Sequence, residues 1–219
     1  HCTEGIVNSS DLLSSEHFIT SSKKVVFSKI VPTLPDLKPE FSRGPQIITE
    51  KDIGYIIAKT GVNSKSICVD AGAGTGALSL SLANICFQVT CYDTNKKHIV
   101  VVEKNKALVE CDNLIIKFGD VAEELSETNL DLITLDLPNP THALSKVQDA
   151  LKLGGWLVVY LPNIVQMKKC LDALIQYKSL KLIELTELNK RDWKVDKEIL
   201  RPEATQIVHT GFMAFVRKL

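Results

Sequence analysis

The sequence has no excess charge of either sign: Lys plus Arg number 26 and Asp plus Glu number 26 among 219 residues. A balanced surface gives no global attraction to polyanions or anionic membranes, so any polyanion has to meet a local basic patch. Long apolar runs are also missing. Stretches such as Trp156–Leu161 fall far short of the ~18 residues a spanning helix requires, and no membrane association is expected. No two of the six cysteines have C-x-x-C spacing, which speaks against zinc and dithiol redox sites. No metal is therefore expected, and the thiols read as reduced, as in a cytoplasmic protein. Nothing near His1 combines a basic segment with an apolar leader.

What is present is ordinary globular composition, 45% apolar and 24% charged, enough for one large domain and a small appendage. Residues 1–30 are Ser-rich with short apolar pairs and read as a small, incomplete β appendage. Residues 31–45 hold prolines at 32, 35, 39 and 45, which predicts a stiff extended connector. From 46 to 219 helix and strand patterns alternate. Thr49 caps a helix bearing Ile53, Ile56 and Ile57, and Gly61 ends it. Strands are predicted at 66–70, 88–93, 114–118, 132–136, 156–161, 181–188 and 206–216. Helices lie between them: one over 77–85, one through Ile99, Val102 and Val109, and one bearing Ala143 to Leu151 and stopped by Gly154-Gly155. A last one is capped by an Asn163–Gln166 box, with Val165, Met167, Leu171, Leu174 and Ile175 on its apolar face. Short apolar strands separated by amphipathic helices indicate an α/β, doubly wound, mostly parallel sheet.

The informative segment is the first of these strands with the turn after it, Asp70-Ala71-Gly72-Ala73-Gly74-Thr75-Gly76. Ligands bind outside the carboxyl ends of strands in such sheets. Gly72-x-Gly74-x-x-Ala77 also satisfies the loose dinucleotide fingerprint. Asp70, however, would face a pyrophosphate unfavourably, whereas it suits the ammonium of S-adenosylmethionine. Asp93, ending the second strand, is placed to accept from ribose hydroxyls, and Asp120, after the third, from an adenine amine. Three acids at three successive strand ends fit a cationic adenosine ligand better than NAD.

Asp136, in LDLPNP (135–140), ends the fourth strand in a loop stiffened by proline. A metal-dependent O-methyltransferase needs several converging carboxylates, and this loop supplies one. A ring nitrogen needs no base, and it becomes cationic on methylation, which a fixed carboxylate stabilises. Asp136 is thus the catalytic candidate, and Tyr160, at the end of the fifth strand, is placed to wall a base pocket. Lys190 to Lys194 interleaves Arg191 and Trp193 with further charge, a pattern suited to RNA phosphates and stacking.

Taken in order, RGPQIITEKD (43–52), DAGAGTGALSL (70–80), LDLPNP (135–140), VVYLPN (158–163) and LRPEATQIVHTGF (200–212) resemble the tRNA (adenine-58-N1)-methyltransferase family in its archaeal form. The resemblance implies a Rossmann-like methyltransferase sheet with an antiparallel last strand, a small N-terminal β domain and a homotetramer. It implies transfer of a methyl group from S-adenosylmethionine to N1 of a T-loop adenine in tRNA, at position 58 and its neighbouring purine 57. By residue it places the cofactor on Gln46, Ile48, Ala71 to Leu78 (thus Thr75, Gly76 and Ala77), Asp93, His98, Asp120 and Val121. The catalytic aspartate falls on Asp136, which also borders the cofactor, and Arg201 and His209 join the RNA-contact candidates. Thr49-Glu50 departs from the Tyr or His followed by Pro of relatives, and Asn139-Pro140-Thr141 from a frequent acidic-Pro-Trp ending. Rival readings are a catalytically silent RNA-binding subunit, a small-molecule methyltransferase and an NAD oxidoreductase. The full acid set argues against the first, and the 200–212 stretch is unexplained by the other two.

Overall fold

A computed structural model describes residues 3–42, 44 and 47–219. The chain divides into two compact units, one ending at Pro39 and one running from Glu40 to Leu219. In the first, α1 (Ser9–Leu13) precedes an antiparallel pair, β1 (Phe18–Thr20) and β2 (Val26–Ser28), followed by α2 (Leu34–Leu37). This α2 corrects the expected wholly extended connector. Pro35 occupies the start of the helix, where a missing N–H costs nothing. The Thr33 amide and hydroxyl both donate to the Asp36 carboxylate.

The second unit contains α3 (Glu50–Thr60), β3 (Ile67–Ala71), α4 (Ala77–Ala83), β4 (Gln88–Asp93), α5 (Lys96–Leu108), β5 (Leu114–Phe118), α6 (Val121–Glu124) and β6 (Leu130–Leu135). There follow α7 (Leu144–Ala150), β7 (Leu151–Leu161), α8 (Ile164–Leu174), β8 (Leu180–Thr186), the hairpin β9 (Trp193–Asp196) and β10 (Ile199–Pro202), and β11 (Phe212–Lys218). One seven-stranded sheet has the order β5-β4-β3-β6-β7-β11-β8. The β3–β7 pairings are parallel, and β11 runs antiparallel to both β7 and β8. This is the doubly wound, Rossmann-like sheet with an antiparallel last strand that the sequence leads one to expect.

Successive residues of β3, β4 and β6 are buried with no alternation, the signature of strands covered on both faces. Their Val, Ile and Leu side chains form one core with α7, α8 and β11. Strand order reverses between β3 and β6, so a crevice opens at their carboxyl ends. Among the described residues no helix is long and apolar enough to cross a membrane.

Five local expectations are corrected. The helix before β7 ends at Ala150, and Gly154-Gly155 lie inside β7, which pairs with β6 across a register shift; glycines in strands mark such irregularities. The last strand begins at Phe212 and not at 206, because His209 and Thr210 turn their side chains to other partners. On α8, Met167, Cys170 and Leu174 are buried, while Val165 and Ile175 are exposed. Asn163 caps the Val165 amide, and Gln166 donates to the Pro138 carbonyl instead of closing a box. Thr49 stands at the N-cap of α3, but its hydroxyl donates to the Asp52 carboxylate within that helix and caps no backbone amide; Gly61, with φ 67°, ends that helix as expected.

Candidate active site

The turn after β3 is set by what lies beneath it. Gly72 has φ +89°, and a Cβ there would stand 2.0 Å from the carbonyl oxygen of Asp136. Only glycine permits that approach. The Asp136 amide in turn donates to the Ala71 carbonyl at 2.8 Å. The glycine turn and the 135–140 loop are therefore packed backbone to backbone.

Above them lies a cavity of about 580 Å³, the size of a nucleotide-like ligand. Asp70, Ala71, Gly72, Ala73, Gly74, Thr75, Ala77 and Leu78 line it, with Ile48, Asp93, His98, Asp120, Val121, Asp136 and Tyr160. Gly76 does not line it but opens α4. Gln46 lies outside the described residues.

The acids occupy distinct environments. Asp70 is buried, and its two oxygens accept from the Ser79 and Thr134 hydroxyls, the latter at 2.6 Å. Burial pushes it up to about 6 despite those bonds. Asp93 accepts from the Gly74 amide at 3.0 Å and the Asn95 amide at 2.8 Å, with His98 Nδ1 3.0 Å away. Asp120 is exposed and caps α6 through the Ala122 amide. Asp136 is different: no hydrogen bond to its carboxylate forms among the described residues. Burial first, then the charges of Asp70 and Asp93, push it up to about 7.

Tyr160, next to the end of β7, lies close against Gly211, where a Cβ would stand 2.5 Å from its ring. Its hydroxyl lies 3.4 Å from an oxygen of the fully buried Asp52, and burial pushes that phenol well above the usual range. Sequence reading missed Asp52, Thr210 and Gly211. The signal for Asp52 is its place four residues before Ile56, on the apolar face of α3. Local rules had accounted for it already, since an acid in a helix's first turn is favoured by the dipole.

The four RNA candidates do not line the cavity. Arg191 precedes β9, half-exposed Trp193 opens it, and Arg201 lies on β10, opposite Lys194. His209 instead bridges two acceptors, Glu187 Oε1 at 2.5 Å and the Pro162 carbonyl at 2.8 Å, which raises its pKa. Among the described residues no cluster of His, Cys, Asp or Glu is arranged to hold a metal ion.

A doubly wound sheet with an antiparallel seventh strand, a glycine turn at its switch point and acids at successive strand ends defines the class of Rossmann-like methyltransferases. More particularly, the chain belongs to the family described as the tRNA methyltransferase complex GCD14 subunit, whose profile matches residues 28–205. Among its relatives is the tRNA (adenine(57)-N(1)/adenine(58)-N(1))-methyltransferase TrmI of Methanocaldococcus jannaschii, 31% identical over 97% of this chain and 86% of its own length. The tRNA (adenine(58)-N(1))-methyltransferase TrmI of Thermus thermophilus is 30% identical over 85% of this chain and 75% of its own. Of solved structures, the tRNA (m1A58) methyltransferase TrmI of Aquifex aeolicus superposes with a TM-score of 0.79 at 27% identity, covering 89% of this chain and 78% of that one. A SAM-dependent O-methyltransferase of Thermotoga maritima superposes with a TM-score of 0.86 at 27% identity, covering all of this chain and 84% of that one.

Proposed function

We propose that this protein transfers a methyl group from S-adenosylmethionine to N1 of a T-loop adenine of tRNA, at position 58 and at 57 as well. The observation that carries the reading is the Asp136 carboxylate, without a hydrogen bond from the described residues, lining the cavity beside the glycine turn.

The residues present fit the cofactor: the bare Cα of Gly72 leaves no room for a side chain, and acids stand at the ends of β3, β4 and β6. Bound there, S-adenosylmethionine supplies an electrophilic methyl group on a positively charged sulfur. Asp93, already oriented by the Gly74 and Asn95 amides, has lone pairs left for ribose hydroxyls, with His98 at its side. Asp120 and Val121 meet the adenine, while Ile48 and Ala71 to Leu78 enclose the remainder. Gln46 borders the same ligand by its place in the family motif. Asp70 braces the turn through Ser79 and Thr134 and adds negative potential beneath it.

Asp136 accepts from the exocyclic amine of the target adenine, which orients N1 and offsets the positive charge that grows on the ring. Tyr160 walls the acceptor side. No proton has to be removed from N1 before the bond forms. Arg191, Trp193 and Arg201 contact tRNA on the β9–β10 hairpin, and His209 holds the base of that region in place. The working unit is a cytoplasmic homotetramer.

The test is incubation with labelled S-adenosylmethionine and unmodified tRNA transcript, followed by mass-spectrometric identification of the nucleoside and its position. 1-Methyladenosine in the T-loop is expected; transfer only to a small molecule, or none at all, overturns the reading.

A further inference from the structure

The corner where α3, the end of β7 and the residues before β11 meet holds a buried polar group that the methyl transfer described above does not use. Asp52 has no exposed surface. One carboxylate oxygen accepts from Lys51 Nζ at 2.7 Å. The other accepts from the hydroxyls of Thr49 at 2.9 Å and Thr210 at 2.8 Å, and faces the Tyr160 hydroxyl at 3.4 Å. Lys51 Nζ also donates to Thr210 Oγ1 at 2.6 Å, which fixes the direction in which that hydroxyl points its own hydrogen.

A carboxylate with no access to water is costly, and a core that only had to close this corner is served as well by apolar side chains. What an ionic group provides here is direction. The Tyr160 ring has Gly211 against it, so close that a methyl group at that position would overlap ring carbons. That close approach bounds the ring on one side, and the carboxylate sets where its hydroxyl end points. Tyr160, Thr210 and Asp136 line the same cavity.

We infer that Asp52, seconded by Lys51 and Thr210, is a positioning residue that fixes the Tyr160 ring as the wall of the acceptor pocket. Asp52 reaches substrate only through Tyr160. The inference rests on the methyl-transfer reading for its kinetic consequence, but not for its structural one.

Asp52→Asn keeps the shape and removes the charge. It is expected to lower kcat for tRNA about 10- to 100-fold, the cost of slight misplacement of a site wall, with cofactor Kd by calorimetry within about twofold of wild type. If Asp52 acts through the phenol, the Asp52→Asn/Tyr160→Phe double variant is no slower than the slower single variant. The signature independent of turnover is the ring Cζ resonance of Tyr160 in protein labelled with 13C-tyrosine, assigned by its loss in Tyr160→Phe. It is expected to shift and broaden in Asp52→Asn. Thr210→Val, which removes one arm of the network, gives the same shift if Asp52→Asn folds poorly.

An unmoved Tyr160 resonance, wild-type kcat, or fully additive losses overturn the positioning role. Wild-type protein that binds cofactor but methylates no tRNA overturns the functional reading instead, and the resonance still decides whether Asp52 holds the ring.

Discussion

Burial is the first cause that raises both Asp136 and Asp70, yet the two have opposite experimental consequences. Asp136 has no hydrogen-bond partner among the described residues and is pushed up to about 7. Only its ionised form offsets positive charge, and that form is also the stronger acceptor from an amine, so kcat/KM is expected to climb through about pH 7 and then level. A flat profile between pH 6 and 8 removes Asp136 from the chemistry, as does Asp136→Asn retaining near-normal kcat. The expected loss is about 100-fold or more, with cofactor affinity little changed. Asp70, raised to about 6 from an ordinary 3.8, holds its proton in the folded state at pH values where the unfolded chain has released it. Its contribution to stability is thus fully present below pH 4 and lost as pH rises through 6. Asp70→Asn is expected to flatten the decline of Tm between pH 4 and 7, measured by scanning calorimetry on both proteins. Asp93→Ala removes a charged acceptor worth ~1.5–3 kcal/mol; unchanged cofactor Kd would show that the ribose is held elsewhere.

For the elements, sequence patterning revealed most of what a sheet requires and little of what a wall requires. Short, mostly apolar runs mark β3, β4, β6 and β7, because burial on both faces leaves a strand few polar positions, here Asp70, Thr90, Asp93 and Thr134 among the buried ones. The glycine turn was legible for a similar reason: few residues tolerate its backbone. The extent of β7 was misjudged because Gly154-Gly155, a stop signal locally, sits within pairing that the neighbouring strand enforces. Asp52 was passed over because its partners, Tyr160 and Thr210, are 108 and 158 residues away, and no local period carries such a pairing. His209 is tied to Glu187 and Pro162 by the same kind of distant meeting. Gly72→Ala tests the tightest of these junctions. The positive φ and the Asp136 carbonyl together predict a loss of more than about 1 kcal/mol, read as a lower urea midpoint, along with weaker cofactor binding.

At the level of the whole molecule, every residue lining the cavity belongs to the unit from Glu40 to Leu219, and that unit contains a continuous core of its own. A fragment of residues 40–219 is accordingly expected to fold and to bind cofactor with a Kd within a few-fold of the full chain. Loss of binding by calorimetry shows that the smaller unit shapes the site. The sheet order has another consequence, for the order of assembly during synthesis. β11 follows every other strand in sequence yet lies between β7 and β8, and Thr210 and Gly211 immediately precede it. While a chain emerges from the ribosome, β8 waits without its partner and the Tyr160 ring without its backing. The cofactor half of the site can form early, but the acceptor half closes only when the last strand slides into the gap.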